Sequence, residues 1–326
     1  MKAKNSKKSA KTRRPRATTT TLPSILKILA TTDFSQTSQC GVRYAISLAD
    51  KLGSTVALLH VMEPRSWLSE LGSIVPVRED SKVVASARAH LEALGKREGQ
   101  GEVAVTCSVS VRTGNPFHAI ITAALERAAD LIVIATHGHT GGERFLLGSI
   151  AERVVRHAPC PVLTVPARTK PRRRGTPPFK LRIILVPIDF SKLSTDALPW
   201  AGLLSAHLGA KIVLLHVVQS FPIDFIPARD RTNDAFVTIQ AEAALKQLAG
   251  SLSKSMGVNV SAVVSDGNPF EVICQTAKTL GADMIVQTTH GYTGLKHVLL
   301  GSTAERVVRY APCPVLSVRG LNRKKL

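Results

Sequence analysis

Apolar residues along this chain follow two rhythms in alternation. Short, nearly unbroken apolar runs recur at 25–31 (ILKILAT), 55–62 (TVALLHVM), 130–136 (DLIVIAT) and 161–165 (PVLTV). A β-rich run with partial alternation occupies 103–114. Between these runs the apolar positions fall at helical spacing. Val42, Ala45, Ile46, Leu48, Ala49 and Leu52 mark a helix over 37–52 that Gly53 stops. A second helical pattern runs from Val83 to Leu94. A third opens with Pro116, and a fourth opens with Ser149 as SIAERVVRHA. Strands that are apolar on both faces, separated by helices, predict a parallel sheet covered on both sides.

The pattern then repeats. GNPF at Gly114–Phe117 recurs at Gly267–Phe270, LLGS at Leu146–Ser149 recurs at Leu299–Ser302, and HAPCPVL at 157–163 recurs as YAPCPVL at 310–316. These pairs share one offset. LLHV at 58–61 and Asp33-Phe34-Ser35 recur at 214–217 and Asp189-Phe190-Ser191 with a slightly longer one. A repeat of this length is a duplicated domain, too long for a solenoid unit. The expected organisation is a tail over 1–24, a domain over 25–166, a linker over 167–180, a domain over 181–319 and a tail over 320–326. Each domain's last strand, in its PCPVL segment, would leave an unpaired sheet edge.

Charge and composition refine this. The formal net charge is +20, but it concentrates outside the apolar-patterned regions. Lysines and arginines crowd residues 1–16, no acidic residue precedes Asp33, and the linker PARTKPRRRGTPPFK is basic and proline-rich. The leading segment lacks an apolar stretch of the kind a secretory signal needs. The basic segments read as solvated tails, with weak contact to polyanions as the sharper alternative. No run is long enough to cross a membrane. Five cysteines without CxxC or metal-ligand spacing suit a reducing compartment, and a cytoplasmic chain is expected.

The candidate chemistry lies where strands end. Ligands in such sheets bind beyond the carboxyl ends of the strands, where the strand order reverses. Asp33, Val61 and the loop 135–149 (ATHGHTGGERFLLGS) all follow strands, as do Asp189, Val217 and the loop 288–302 (TTHGYTGLKHVLLGS). Gly148-Ser149 and Gly301-Ser302 each open a helix, whose free N–H groups and dipole suit a phosphate. Ser149 is a hydroxyl donor or a helix cap. Asp33 and Asp189 are ligands for a ribose, an amine or a metal, or else caps of the next helix. His137 and His290 are expected to hydrogen-bond the loop backbone. Cys160 and Cys313, between prolines, read as packed residues and not nucleophiles. No nucleophile–base–orienter set is visible, so no catalytic residue is assigned.

These residues carry a resemblance. The chain resembles a tandem universal stress protein over both copies. ATP-binding members of that family show G-x2-G-x9-G-[ST] after the fourth strand. Gly138, Gly148 and Ser149 match it in the first copy, and Gly291, Gly301 and Ser302 in the second. Ala135 and Thr288 stand at the first glycine. The resemblance further implies Asp33 and Asp189 as site residues, backbone contact to adenine at Val61 and Val217, and a proline matched by Pro187 but replaced by Thr31. Ile150 and Thr303, after the serines, complete the candidate sets. The implied fold is α/β: two tandem, doubly wound, mostly parallel five-stranded sheets with helices on both faces, Rossmann-like in kind and similar to the adenine-nucleotide α-hydrolases. The edge strands of the two domains are expected to pair antiparallel, with further homo-oligomerisation allowed. The implied ligand is ATP, accompanied by Mg or Mn, in a stress-response or energy-sensing role. A slow ATPase and a scaffold that binds no nucleotide are the rival readings. Thr288, β-branched where the first copy has Ala135, predicts weaker binding in the second copy.

Overall fold

The computed structural model describes residues 23–63, 81–99, 105–136, 147–167, 179–219, 231–289 and 301–319. The first half runs β1 (Lys27–Thr31), α1 (Gln36–Leu52), β2 (Thr55–Met62), α2 (Ser81–Glu98), β3 (Cys107–Thr113), α3 (Pro116–Glu126), β4 (Leu131–Ala135), α4 (Ser149–His157) and β5 (Val162–Val165). The second runs β6 (Ile183–Pro187), α5 (Leu198–Leu208), β7 (Lys211–Val218), α6 (Arg231–Met256), β8 (Val260–Asp266), α7 (Pro269–Leu280), β9 (Met284–Thr288), α8 (Ser302–Tyr310) and β10 (Val315–Val318). Gly53 ends α1 at φ 67°, the left-handed conformation its place after Leu52 predicts. The basic segments 1–22, 168–178 and 320–326 lie outside the described residues.

The halves differ locally at their first helices. α1 is a single helix, whereas its counterpart begins as a 3-10 turn, Ser194–Ala197, before α5. Pro199 sits in the first turn of α5 and has no N–H to donate four residues back. The backbone therefore tightens into the shorter-range bonding of the 3-10 turn.

The two expected five-stranded sheets are halves of one ten-stranded sheet, in the order β3-β2-β1-β4-β5-β10-β9-β6-β7-β8. Strands within each half are parallel. The halves join where β5 pairs antiparallel with β10, centred on Leu163 opposite Leu316. The edge strands thus cover each other, as the twin PCPVL segments predict. An antiparallel junction relates the halves by a two-fold axis normal to the sheet. Helices α1, α2, α5 and α6 consequently share one apolar core on one face, and α3, α4, α7 and α8 share the other.

At the axis α4 lies beside α8. Arg156 pairs with Glu152 at 2.8 Å and with Glu305 at 2.9 Å; Arg309 pairs with Glu305 at 3.3 Å and with Glu152 at 3.7 Å. A further tie, at the end of α4, breaks the symmetry. Arg319 donates through Nη1 to Ala158 O and through Nη2 to Arg156 O, holding the carboxyl end of α4. The matching position in the first half is Pro166, which has no donor to offer α8.

Candidate functional site

In each half the strand order reverses at one place, between β1 and β4 and between β6 and β9. The chain leaves these neighbouring strands toward opposite faces, and a crevice opens between them. The first crevice is a cavity of ≈ 290 Å³. Its walls come from the end of β1 (Thr31 to Asp33), from Leu59 and Val61 on β2, from Pro116 and Ile120 on α3, and from the first turn of α4. The second cavity, also ≈ 290 Å³, is built from the same places in the repeat. Because the halves run in opposite directions, the two cavities open at opposite edges of the sheet.

The turn after β1 is held by its own side chains. Asp33 Oδ1 accepts from Ser35 N at 3.0 Å, and Ser35 Oγ accepts from Ser38 N at 3.1 Å. Ser35, not Asp33, is therefore the cap of α1. Between them Phe34 takes φ 65°, a conformation that crowds Cβ in an L-residue. Its ring lies 4.3 Å from that of His60, whose Nδ1 donates to Thr32 O at 2.8 Å. The second half repeats each contact. Asp189 Oδ1 accepts from Ser191 N at 2.9 Å, Ser191 Oγ accepts from Ser194 N at 3.0 Å, and Phe190 has φ 58°. Phe190 stacks 4.5 Å from His216, which donates to Ile188 O at 2.7 Å. Strained backbone held twice by the same contacts marks a turn whose geometry matters. The histidines were not singled out by sequence, although the repeat of LLHV beside Asp-Phe-Ser held the signal.

The helix that faces each cavity starts on a glycine. Gly148 caps α4 without any side-chain hydrogen bond, and its N–H donates to Thr136 O at 2.7 Å. Ser149 is the first helical residue and so does not cap the helix. Gly301 caps α8 in the same way, donating to Thr289 O at 2.8 Å. Gly148 has φ −59°, open to any residue, but an added Cβ would stand 3.2 Å from Thr136 O. The glycine is thus required in part by its own chain. The GNPF motifs brace these helices. Asn115 and Asn268 cap α3 and α7. Arg153 lies 4.1 Å over the ring of Phe117, and Arg306 lies 3.9 Å over that of Phe270. Each pair fastens a cavity helix to its neighbour.

The structure brings most of the sequence-predicted residues together. Thr31, Asp33, Val61, Ala135, Gly148, Ser149 and Ile150 line the first cavity. Pro187, Asp189, Val217, Thr288, Gly301, Ser302 and Thr303 line the second. His137, Gly138, His290 and Gly291 lie outside the described residues. The two cavities are of similar volume, and their linings differ in polarity. Beyond Ala135 against Thr288 and Ile150 against Thr303, part of that polarity sits on residues the sequence analysis did not name. Ile134 and Glu63 line the first cavity where Gln287 and Gln219 line the second. Among the described residues no cluster of three His, Cys, Asp or Glu could hold a metal, and no helix is long and apolar enough to cross a membrane. Burial pushes the Cys160 thiol up to about 12, with Asp130 adding to the shift, and Cys313 likewise to about 12 beside Asp283.

Sheet, crevices and repeat together define a duplicated, doubly wound α/β protein with one crevice per half at the strand-order reversal. The universal stress protein family matches residues 25–166 and again 180–319, and the chain belongs to that family, carrying its domain twice. A universal stress protein of Methanocaldococcus jannaschii is 33% identical over 138 residues, which is 42% of this chain and 81% of that one. One from Mycobacterium tuberculosis is 27% identical over 319 residues, covering 90% of this chain and 95% of its own. Among solved structures, a universal stress protein from Archaeoglobus fulgidus superposes with a TM-score of 0.60 at 20% identity, covering 91% of this chain and 97% of that chain.

Proposed function

We propose that each cavity holds an adenine nucleotide, ATP foremost, and that the protein reports or buffers nucleotide state in a stress response. The observation that carries this reading is the composition of the crevice. At one end lie the first-turn N–H groups of a helix without a side-chain cap, Ser149–Ala151 or Ser302–Ala304, suited to phosphate. At the other lies an apolar wall, Leu59, Val61, Pro116 and Ile120 in the first half, suited to a base. Between them stands a carboxylate, Asp33 or Asp189. Mg or Mn would enter with the triphosphate, since such ions are commonly held by one or two carboxylates together with phosphate oxygens. Asp33 and Asp189 are the carboxylates placed to share it. The proposal is one of binding in the cytoplasm and not of turnover, with the basic tails free to touch polyanions weakly.

Calorimetric titration of the full chain with ATP and Mg tests it. Asp33→Asn keeps the oxygen that accepts from Ser35 N and removes the charge; Asp189→Asn does the same for Ser191. Loss of a charge-assisted contact costs about 1.5–3 kcal/mol, roughly ten- to a hundredfold in affinity. Each variant should weaken one site and spare the other. No heat of binding at millimolar ATP would overturn the reading.

A further inference from the structure

The two cavities differ most deeply at one floor position. Ile134 on β4 is 7% exposed and belongs to the apolar core beneath α3 and α4. Its counterpart on β9 is Gln287, 5% exposed, which also lines its cavity. A glutamine at such depth must place both ends of its amide. Nε2 donates to Ala304 O, in the first turn of α8, at 2.9 Å. That bond fixes which end is nitrogen, because a carbonyl oxygen accepts and does not donate. The group Gln287 can offer to the cavity is therefore Oε1, an acceptor, where the first cavity offers hydrocarbon.

An acceptor in the floor asks for a donor from the ligand. Resting on the nucleotide reading above, the chemistry narrows quickly. Phosphates at the amino end of α8 carry acceptors only. A base against Leu215, Val217 and Pro269 stands at the opposite wall. Gln287 lines the crevice from β9 and is tied by Nε2 to the first turn of α8, so its amide stands on the phosphate side of the crevice and not at the wall of the base. The donors a nucleotide carries between phosphate and base are the hydroxyls of its sugar. We propose that Gln287 makes the second cavity selective for ribose over deoxyribose nucleotides, by accepting a hydrogen bond from a ribose hydroxyl at Oε1. The first cavity, floored by Ile134, lacks this discrimination. The helix does not need the glutamine to form: Ala151, the counterpart of Ala304, sits in the first turn of α4 in the same way, with an isoleucine at the matching strand position, which cannot donate to it.

Calorimetry with ATP, 2′-deoxy-ATP and 3′-deoxy-ATP tests the assignment on the full chain and two variants. A missing hydroxyl that leaves a buried acceptor unpaired should weaken binding about tenfold. In the unsubstituted chain one deoxy analogue should lose about that factor at one of the two sites only. Gln287→Leu, of similar volume, should remove the discrimination and leave the other site unchanged. Ile134→Gln should install it at the first site, a gain that no loss of folding could imitate. If Gln287→Leu leaves deoxy discrimination intact, or if neither site discriminates while ATP still binds twice, the inference fails and the nucleotide reading stands. If ATP itself gives no heat, both fail together.

Discussion

Phe34 and Phe190 hold a left-handed conformation that glycine would adopt without cost, so something else keeps a phenyl ring there. The ring packs on His60 or His216, and each histidine is tethered to the carbonyl just before the site aspartate. The side chain therefore helps to set the angle at which Asp33 or Asp189 meets its cavity. The aspartates were legible in the sequence because Asp-Phe-Ser ends a strand twice. The strained backbone was not, because no residue pattern announces a positive φ on phenylalanine. The cysteines show the reverse case, where spacing between prolines was enough. Cys160 and Cys313, with thiols near 12, should resist a disulfide reagent at pH 8 in the folded chain and react on unfolding. Titration of free thiols with and without denaturant checks this; rapid native labelling of either would contradict it.

Helices α4 and α8 each begin at a cavity and end near the molecular axis. Their amphipathic pattern and glycine starts could be read from sequence. Their meeting across the axis could not, because the Glu152–Arg156–Glu305–Arg309 set joins residues far apart in the chain. Such partly exposed ion pairs contribute little each, about 0.3–0.5 kcal/mol for those within one helix. Arg319 contributes differently, through two hydrogen bonds to carbonyls at the end of α4. Hydrogen bonds from a charged donor are worth about 1.5–3 kcal/mol. Arg319→Met, which keeps the stem, should lower the stability of the full chain by roughly that amount in urea unfolding. It should also raise the His157 pKa, which burial, Arg319, Arg153 and Arg156 together hold below the usual imidazole value. An unchanged unfolding midpoint with an unchanged His157 titration would mean that Arg319 does not hold this helix.

For the whole molecule, the decisive fact is that duplication closed an edge. The strand β5 that would be open in one domain is covered by β10 of the other. This was legible because the PCPVL segments repeat, and because a terminal apolar strand needs a partner. The same junction reverses one half against the other and sends the two cavities to opposite edges of the sheet. Equal volumes with unequal floors mean that the halves share an architecture and differ in chemistry. That difference was not legible in the glycine pattern, because Ile134 and Gln287 precede the motif and become neighbours of the crevice only through strand order. On the function proposed above, both crevices hold nucleotide. Native mass spectrometry of the full chain with ATP and Mg tests it most directly. A stepwise added mass reaching two ATP per chain is expected, and a chain that retains none at saturating ATP would rule nucleotide binding out.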